Sequence, residues 1–73
     1  MQQLDCKGLN CPMPIVKISK ALKKMGPGER LEVVASDPAF KADVEAWARK
    51  TGNALIEFTD GDDVKRVVIE KAA

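Results

Sequence analysis

The sequence predicts an α+β two-layer sandwich in which a four-stranded mixed sheet carries two helices on one face. Two segments repeat apolar residues every three or four positions, and four shorter segments have the composition of strands. Glycine and proline separate these segments and give the order β-α-β-α-β-β. Both β-α-β crossovers are expected to be right-handed, which puts the two helices on the same side of the sheet if the chain keeps stepping in one direction. A chain of 73 residues has room for one domain, over residues 1–73.

The chain is expected to open with an edge strand at residues 2–6 and a helix at residues 12–25. In the strand, Leu4 and Cys6 point to one side. In the helix, apolar residues separated by three, four and three positions form a single stripe. The stripe consists of Ile15, Ile18, Leu22 and Met25. A Gly-Pro-Gly break at residues 26–28 ends the helix.

A second strand is predicted at residues 29–35, where alternate residues are apolar. Asp37 is expected to cap the second helix, and Pro38 suits its first helical position. The buried side of this helix is formed by Phe40, Val44 and Trp47. Gly52 is expected to end the helix in a left-handed conformation.

The last two strands, predicted at residues 54–59 and 64–71, are joined by an Asp-Gly turn that favours a hairpin. The final strand can lie outside the third strand or between the second and the third. We favour the inserted position because residues 64–69 are the most apolar strand and belong in the centre of the sheet. The face away from the helices is expected to carry Leu55, Glu57, Thr59, Val64, Arg66, Val68 and Glu70.

Composition excludes several classes of function. The chain has no histidine, so no Ser-His-Asp triad or Cys-His pair can form within it, and its two cysteines make a poor zinc site. Two cysteines are also too few for a secreted disulfide framework. No segment is long and apolar enough to span a membrane, and the first residues lack a signal-peptide pattern. We therefore expect a cytoplasmic protein with reduced thiols.

The chemistry that the sequence offers lies in residues 8–14, which read Gly-Leu-Asn-Cys-Pro-Met-Pro. Proline is tolerated in the first turn of a helix, so two prolines two residues apart place Cys11 at or beside the N-cap. There the helix dipole and the free amides of Met13 and Ile15 are expected to lower the pKa of the Cys11 thiol. The alternative at this position is a small, buried and inert cysteine.

Residues 4–14 resemble the signature of the TusA/SirA-like sulfurtransferase family, whose members carry a Cys-Pro-x-Pro motif after a Gly-Leu pair. The length, the element order, the Pro-Gly break after the first helix and the Asp-Pro opening of the second extend the resemblance over essentially the whole chain. The resemblance implies a sulfur carrier in which Cys11 accepts sulfane sulfur as a persulfide and passes it to an acceptor protein. The residues that support Cys11 at the helix start are then Gly8, Leu9, Pro12, Met13 and Pro14.

The resemblance also implies fold and partners. The family has the two-layer sandwich predicted above, which also occurs in the C-terminal domain of a translation initiation factor. Family donors include cysteine desulfurases and rhodaneses, and acceptors include DsrE-type proteins that serve tRNA thiolation or sulfur oxidation; some relatives have selenium-related roles. No metal or organic cofactor is required. The resemblance leaves open whether the chain is an enzyme. As an enzyme it would be a sulfurtransferase that cycles through a cysteine persulfide.

Charge is distributed unevenly along the chain. Residues 1–30 carry six basic and two acidic side chains, whereas residues 31–73 carry six basic and nine acidic ones. The lysines of the first helix therefore form either a docking face for an acidic partner or an ordinary solvated face. These lysines are Lys17, Lys20, Lys23 and Lys24.

Other side chains near the motif have open roles. Cys6 is either a buried core thiol or a resolving thiol that pairs with Cys11. Asp5 either accepts from the amide of Gly8 or Leu9 and so fixes the loop, or is simply exposed. Met13 is either an apolar contact for partners or ordinarily exposed.

Two functions of other classes are alternatives to the carrier. A thiol redox switch would use Cys6 and Cys11. A nucleic-acid-binding module of the same fold would use the basic helix, but a net charge of +1 and the lack of aromatic residues on a sheet surface do not favour it. We expect neither direct nucleic-acid binding nor a membrane partner.

Overall fold

The computed structural model describes residues 1–10, 12–61 and 63–72. Its strands are β1 (Gln2–Cys6), β2 (Arg30–Ala35), β3 (Ala54–Asp60) and β4 (Lys65–Glu70). Its helices are α1 (Met13–Lys23) and α2 (Phe40–Thr51). The strands form one sheet, and both helices pack on the same face of it. The predicted sandwich is confirmed, and the elements end within two residues of their predicted limits.

The last strand occupies the inserted position that its composition favours. The sheet order is β1-β2-β4-β3, with β1 parallel to β2 and with β4 antiparallel to both of its neighbours. Val67 and Ile69 of β4 are fully buried, which explains why this strand lies inside the sheet. β1 is an edge strand, as predicted.

The core lies between the two helices and one face of the sheet. The apolar stripe of α1 reaches this core as predicted, although Ile15 is only half-buried. The largest fully buried side chains are Phe40, Ile18, Leu31, Ile69, Val33, Val44 and Val67. Trp47 packs against the core, as its spacing predicts, but it is only partly buried. Its indole Nε1 donates to Ser19 Oγ at 3.2 Å and so joins α2 to α1.

The start of α2 differs from the prediction. The helix begins at Phe40 with Ala39 as its N-cap residue, and no side chain caps it. The Asp37 carboxylate instead accepts from the Ala39 N–H (3.1 Å), and the Asp37 carbonyl accepts from the Phe40 N–H (3.0 Å). Asp37 and Pro38 therefore form a turn that leads into the helix. The other end follows the prediction, since Gly52 adopts φ +77° and closes α2 in the left-handed conformation.

The β3–β4 hairpin contains an irregularity that the sequence pattern does not predict. The pairing register shifts between Leu55 and Glu57, which indicates a β-bulge. Leu55 therefore packs against the core and not on the opposite face, while Ile56 is exposed. In the turn, the Gly61 N–H donates to the Val64 carbonyl at 3.0 Å. Asp62 of the predicted turn lies outside the described residues.

The face of the sheet away from the helices carries an ion-pair network. Arg66 of β4 donates to Glu32 on β2 and to Glu57 on β3. Both glutamates are cross-strand neighbours of Val68, which is only 3% exposed although it points away from the helices. The long side chains around Val68 account for its burial, because their aliphatic stems cover apolar surface.

Burial along α1 predicts a difference in stability between two truncations. Ile18→Val removes one methylene from a fully buried site and should lower the free energy of unfolding by about 0.5–1.5 kcal/mol. Val16→Ala removes two carbons from an exposed site on the same helix and should change it by less than about 0.5 kcal/mol. Urea unfolding measures both. An equal or larger loss for Val16→Ala would contradict the placement of the core.

Candidate functional site

The candidate site begins where two parallel strands end side by side. Cys6, the last residue of β1, is paired with Ala35, the last residue of β2. The chain leaves both strands at the same edge of the sheet, so the residues that follow them are brought together. From this edge, residues 7–12 connect β1 to α1.

Ser36 holds this connection to the end of β2. The Gly8 N–H donates to Ser36 Oγ at 2.9 Å, across 28 positions in the sequence. Gly8 has φ +82°, a left-handed conformation that glycine adopts without a Cβ penalty. No motif or periodic pattern in the sequence identifies Ser36 as a site residue. The available signal was its place directly after a strand parallel to β1, which puts it beside the loop.

Asp5 fixes the loop through a different amide from the two predicted. Its Oδ1 accepts from the Lys7 N–H at 2.9 Å. The Leu9 N–H instead donates to the Cys6 carbonyl at 3.2 Å, and the Leu9 side chain packs against the core. The amides of three consecutive residues are therefore satisfied within the loop and its neighbours.

The start of α1 corrects one part of the predicted electrostatics. Pro12 is the N-cap residue, and no side chain caps the helix. The Met13 N–H donates to the Asn10 carbonyl at 2.9 Å, so it is not free for a group at position 11. Proline has no N–H, so among residues 12–14 no further amide is available. Of the two predicted donors this excludes Met13, and the attraction that this helix end can exert on an anion is that of the dipole of an eleven-residue helix, while the role of the Ile15 amide stays a prediction.

The two residues after Pro12 have opposite surroundings. Pro14 is fully buried and anchors the first turn of α1 against the core. Met13, directly before it, is 45% exposed. Exposure of Met13 agrees with both roles that the sequence left open, a partner contact or an ordinary surface residue.

The two cysteines differ in what the structure says of them. Cys11 lies outside the described residues, so its role stays a prediction. Cys6 is fully buried, as expected of a core thiol. Burial raises the pKa of the Cys6 thiol, the nearby Lys17 charge lowers it, and Asp5 raises it further. A buried thiol with a raised pKa is a poor nucleophile near neutral pH, because the thiolate is the reactive form.

The four predicted docking lysines, three in α1 and the C-cap residue Lys24, are exposed, and none of them forms an ion pair with a described residue. Their ammonium groups are therefore available to an acidic surface, as a docking face requires. The same exposure is found on any solvated helix face, so the docking role of Lys17, Lys20, Lys23 and Lys24 stays a prediction.

The described part of the chain contains no group of three or more His, Cys, Asp or Glu side chains arranged to hold a metal ion. In that same part, no helix is both long enough and apolar enough to cross a membrane. The site consists of a loop held by hydrogen bonds that leads into the start of α1. The sequence places a cysteine at position 11 of this loop and basic side chains along the helix.

Comparison with known proteins gives consistent results. Residues 2–71 match the family described as Sulfurtransferase TusA. Sulfur carrier protein TusA of Allochromatium vinosum is 41% identical over 71 residues, which cover 97% of this chain and 93% of that protein. The putative sulfur carrier protein YrkI of Bacillus subtilis is 46% identical over 68 residues, which cover 93% of this chain and 91% of that protein. The crystal structure of a SirA-like protein from Desulfitobacterium hafniense superposes with a TM-score of 0.85 at 25% identity, and the match covers both chains completely.

The hydrogen bond from Gly8 to Ser36 predicts a local effect of Ser36→Ala. Losing one neutral hydrogen bond at an exposed site should accelerate exchange of the Gly8 amide hydrogen about fivefold, equivalent to about 1 kcal/mol. Amide exchange followed by NMR measures this. Ser19→Ala, which removes the acceptor for Trp47 on the helix side, is the control and should leave Gly8 unchanged. Unchanged Gly8 exchange in Ser36→Ala would show that Ser36 does not hold the loop.

Proposed function

Since the chain belongs to the TusA sulfurtransferase family, we propose that it is a sulfur carrier that holds sulfane sulfur as a persulfide on Cys11. The observation that carries the proposal is the family match over residues 2–71. Relatives that match over nearly their whole length support it, among them the sulfur carrier protein of Allochromatium vinosum.

The choice of Cys11 as the carrier thiol is supported by elimination. The chain has two cysteines, and a persulfide carrier needs one that a donor protein can reach. Cys6 is fully buried and its pKa is raised by burial, so neither access nor ionisation favours it. Cys11 directly precedes the N-cap of α1, where the helix dipole favours a thiolate or a persulfide anion.

Loading is a nucleophilic displacement at sulfur. The Cys11 thiolate attacks the terminal sulfur of a donor persulfide, R–S–SH, and a new S–S bond forms to Cys11. The donor S–S bond breaks, and its electron pair leaves with the donor as the thiolate R–S⁻. The terminal hydrogen stays on the transferred sulfur, so the products are Cys11–S–SH and R–S⁻, and no external oxidant or reductant is needed.

Delivery repeats the same displacement in the other direction. A thiolate of the acceptor protein attacks the terminal sulfur of Cys11–S–SH, and Cys11 leaves as a thiolate. The carrier is thereby regenerated for the next cycle. In this scheme the donor is a cysteine desulfurase or a rhodanese and the acceptor is a DsrE-type protein, serving tRNA thiolation or sulfur oxidation. Lys17, Lys20, Lys23 and Lys24 are proposed to guide these partners electrostatically.

A thiol switch between Cys6 and Cys11 is less well supported than the carrier. A disulfide requires both sulfurs to reach bonding distance, with Cα atoms about 4.4–6.8 Å apart. Cys6 is fully buried within the core, so its sulfur would have to leave the core or meet Cys11 there. Mild oxidation followed by mass spectrometry separates the two functions, because a disulfide loses two hydrogens whereas a persulfide gains a sulfur.

Sulfur loading tests the proposal. After incubation with a sulfane-sulfur donor, the wild-type protein should gain about 32 Da per transferred sulfur, and peptide mapping should place it on Cys11. Cys11→Ser should abolish this gain, because a serine hydroxyl is not ionised near neutral pH and forms no persulfide. Cys6→Ala should retain it, although the loss of a buried side chain lowers stability.

Circular dichroism of both variants is the control for folding. A wild-type protein that never loads sulfur from a persulfide, polysulfide or thiosulfate donor would contradict the carrier function. Sulfur found on Cys6 would contradict the assignment of the site. Loss of loading in a folded Cys6→Ala variant would favour the two-thiol switch.

The lysine face predicts a salt-dependent effect on transfer between proteins. Lys20→Glu combined with Lys23→Glu should slow transfer to an acidic partner about tenfold at low ionic strength, because surface charges steer the encounter. The effect should shrink as salt is raised from about 20 to about 200 mM, since screening shortens the range of these charges. Stopped-flow transfer assays measure both.

The matched control is Lys41→Glu combined with Arg49→Glu on α2, which changes the net charge by the same amount. Transfer by this control should stay close to wild type, and loading by a small-molecule donor should stay unchanged in both double variants. Equal slowing by the two double variants would show that net charge, and not the α1 face, controls the encounter.

A further inference from the structure

An open groove lies between the two helices beside the start of α1. It is lined by Pro12, Ile15, Asp43, Ala46, Trp47 and Lys50. The walls near the start of α1 are apolar, and the charged side chains belong to α2. The hydrogen bond from Trp47 to Ser19 holds the indole between the helices, so one wall of the groove is fixed in place.

The position of the groove connects it to the proposed sulfur chemistry. Pro12, one of its walls, is bonded directly to Cys11 in the sequence. A partner thiolate that attacks a persulfide on Cys11 must come to bonding distance of its sulfur. Residues one to three positions from the partner's cysteine then lie about 3–11 Å away along an extended chain, which is within reach of this groove.

The chemistry of the groove and its surroundings selects the occupant. Pro12, Ile15, Ala46 and the Trp47 ring favour an uncharged aliphatic side chain, because burying it removes apolar surface from water. The groove itself carries one basic and one acidic side chain, Lys50 and Asp43, whereas the exposed face of α1 beyond it is basic, with Lys17, Lys20 and Lys23. This charge favours a partner whose surface around the cysteine is acidic.

We propose that this groove receives an aliphatic side chain located one to three residues from the reactive cysteine of an acidic partner protein. The inference rests on the proposed function and adds a determinant of partner choice to it. Sulfur exchange needs only two sulfur atoms, whereas the groove discriminates between cysteine-bearing segments by the residue that accompanies the cysteine.

Two peptides test the inference. The first is acetyl-Glu-Cys-Gly-Leu-Glu-amide, and the second has serine in place of leucine. The protein is loaded with sulfur from a small-molecule polysulfide, freed of excess donor and mixed with each peptide at subsaturating concentration. Wild type should transfer sulfur to the leucine peptide about three- to tenfold faster than to the serine peptide, the range expected for partly burying a leucine.

Ala46→Gln places a longer polar side chain in the groove and should abolish the preference for leucine. Ala42→Gln is the matched control, because it makes the same change at an exposed position of the same helix that does not line the groove. It should retain the wild-type preference. Equal rates for both peptides in the wild type, or equal loss of preference in both variants, would overturn the inference.

A second readout separates this inference from the proposed function. Trp47 is the only tryptophan in the chain, so its fluorescence reports occupation of the groove. Peptides with serine replacing cysteine should shift Trp47 emission when they carry leucine and not when they carry the second serine. If Cys11 never loads sulfur, the carrier function is contradicted, but the fluorescence titration still shows whether the groove binds a leucine side chain. No shift with the leucine peptide, together with normal loading, would overturn the groove alone.

Discussion

The short connection between two buried residues, Cys6 and Pro14, is the constraint on which the rest of the structure depends. Cys6 ends β1 inside the core, and Pro14 lies fully buried in the first turn of α1. Only residues 7–13 are available to pass from the sheet layer to the helix layer. Glycine at the left-handed position, proline at the helix start and the brace from Ser36 make this tight passage possible.

In the proposed carrier, the same constraint gives the two cysteines different chemistry. The thiol on the strand side of the connection is enclosed by apolar side chains, which raise its pKa and protect it from reaction. The cysteine at position 11 directly precedes a proline N-cap, in the segment that the family match includes. In the proposed carrier, sulfur exchange needs one accessible thiolate and a second protein, so a chain of this size suffices. Partner choice is then assigned to the surface around the thiol, to the α1 lysines and to the interhelical groove.

The sequence predicted the elements well because apolar spacing and breakers are local signals. It also predicted the inserted place of β4, since the most apolar strand belongs in the centre of a sheet. Its errors concern details that depend on contacts distant in sequence or on single hydrogen bonds. The Met13 N–H donates to the Asn10 carbonyl, and Ser36, which follows β2, accepts from the Gly8 N–H in the loop. A β-bulge places Leu55 against the core. No periodic pattern encodes these contacts, whereas parallel pairing of β1 and β2, once known, makes Ser36 a natural candidate.

In the proposed carrier, the fold separates one protected thiol, Cys6, from one reactive thiol, Cys11. The most direct measurement is an NMR titration of the ¹³Cβ signals of Cys6 and Cys11 in the same folded sample. We expect Cys11 to titrate at a lower pH than Cys6, whose pKa is raised by burial. A common midpoint for both thiols, or ionisation of Cys6 before Cys11, would contradict it.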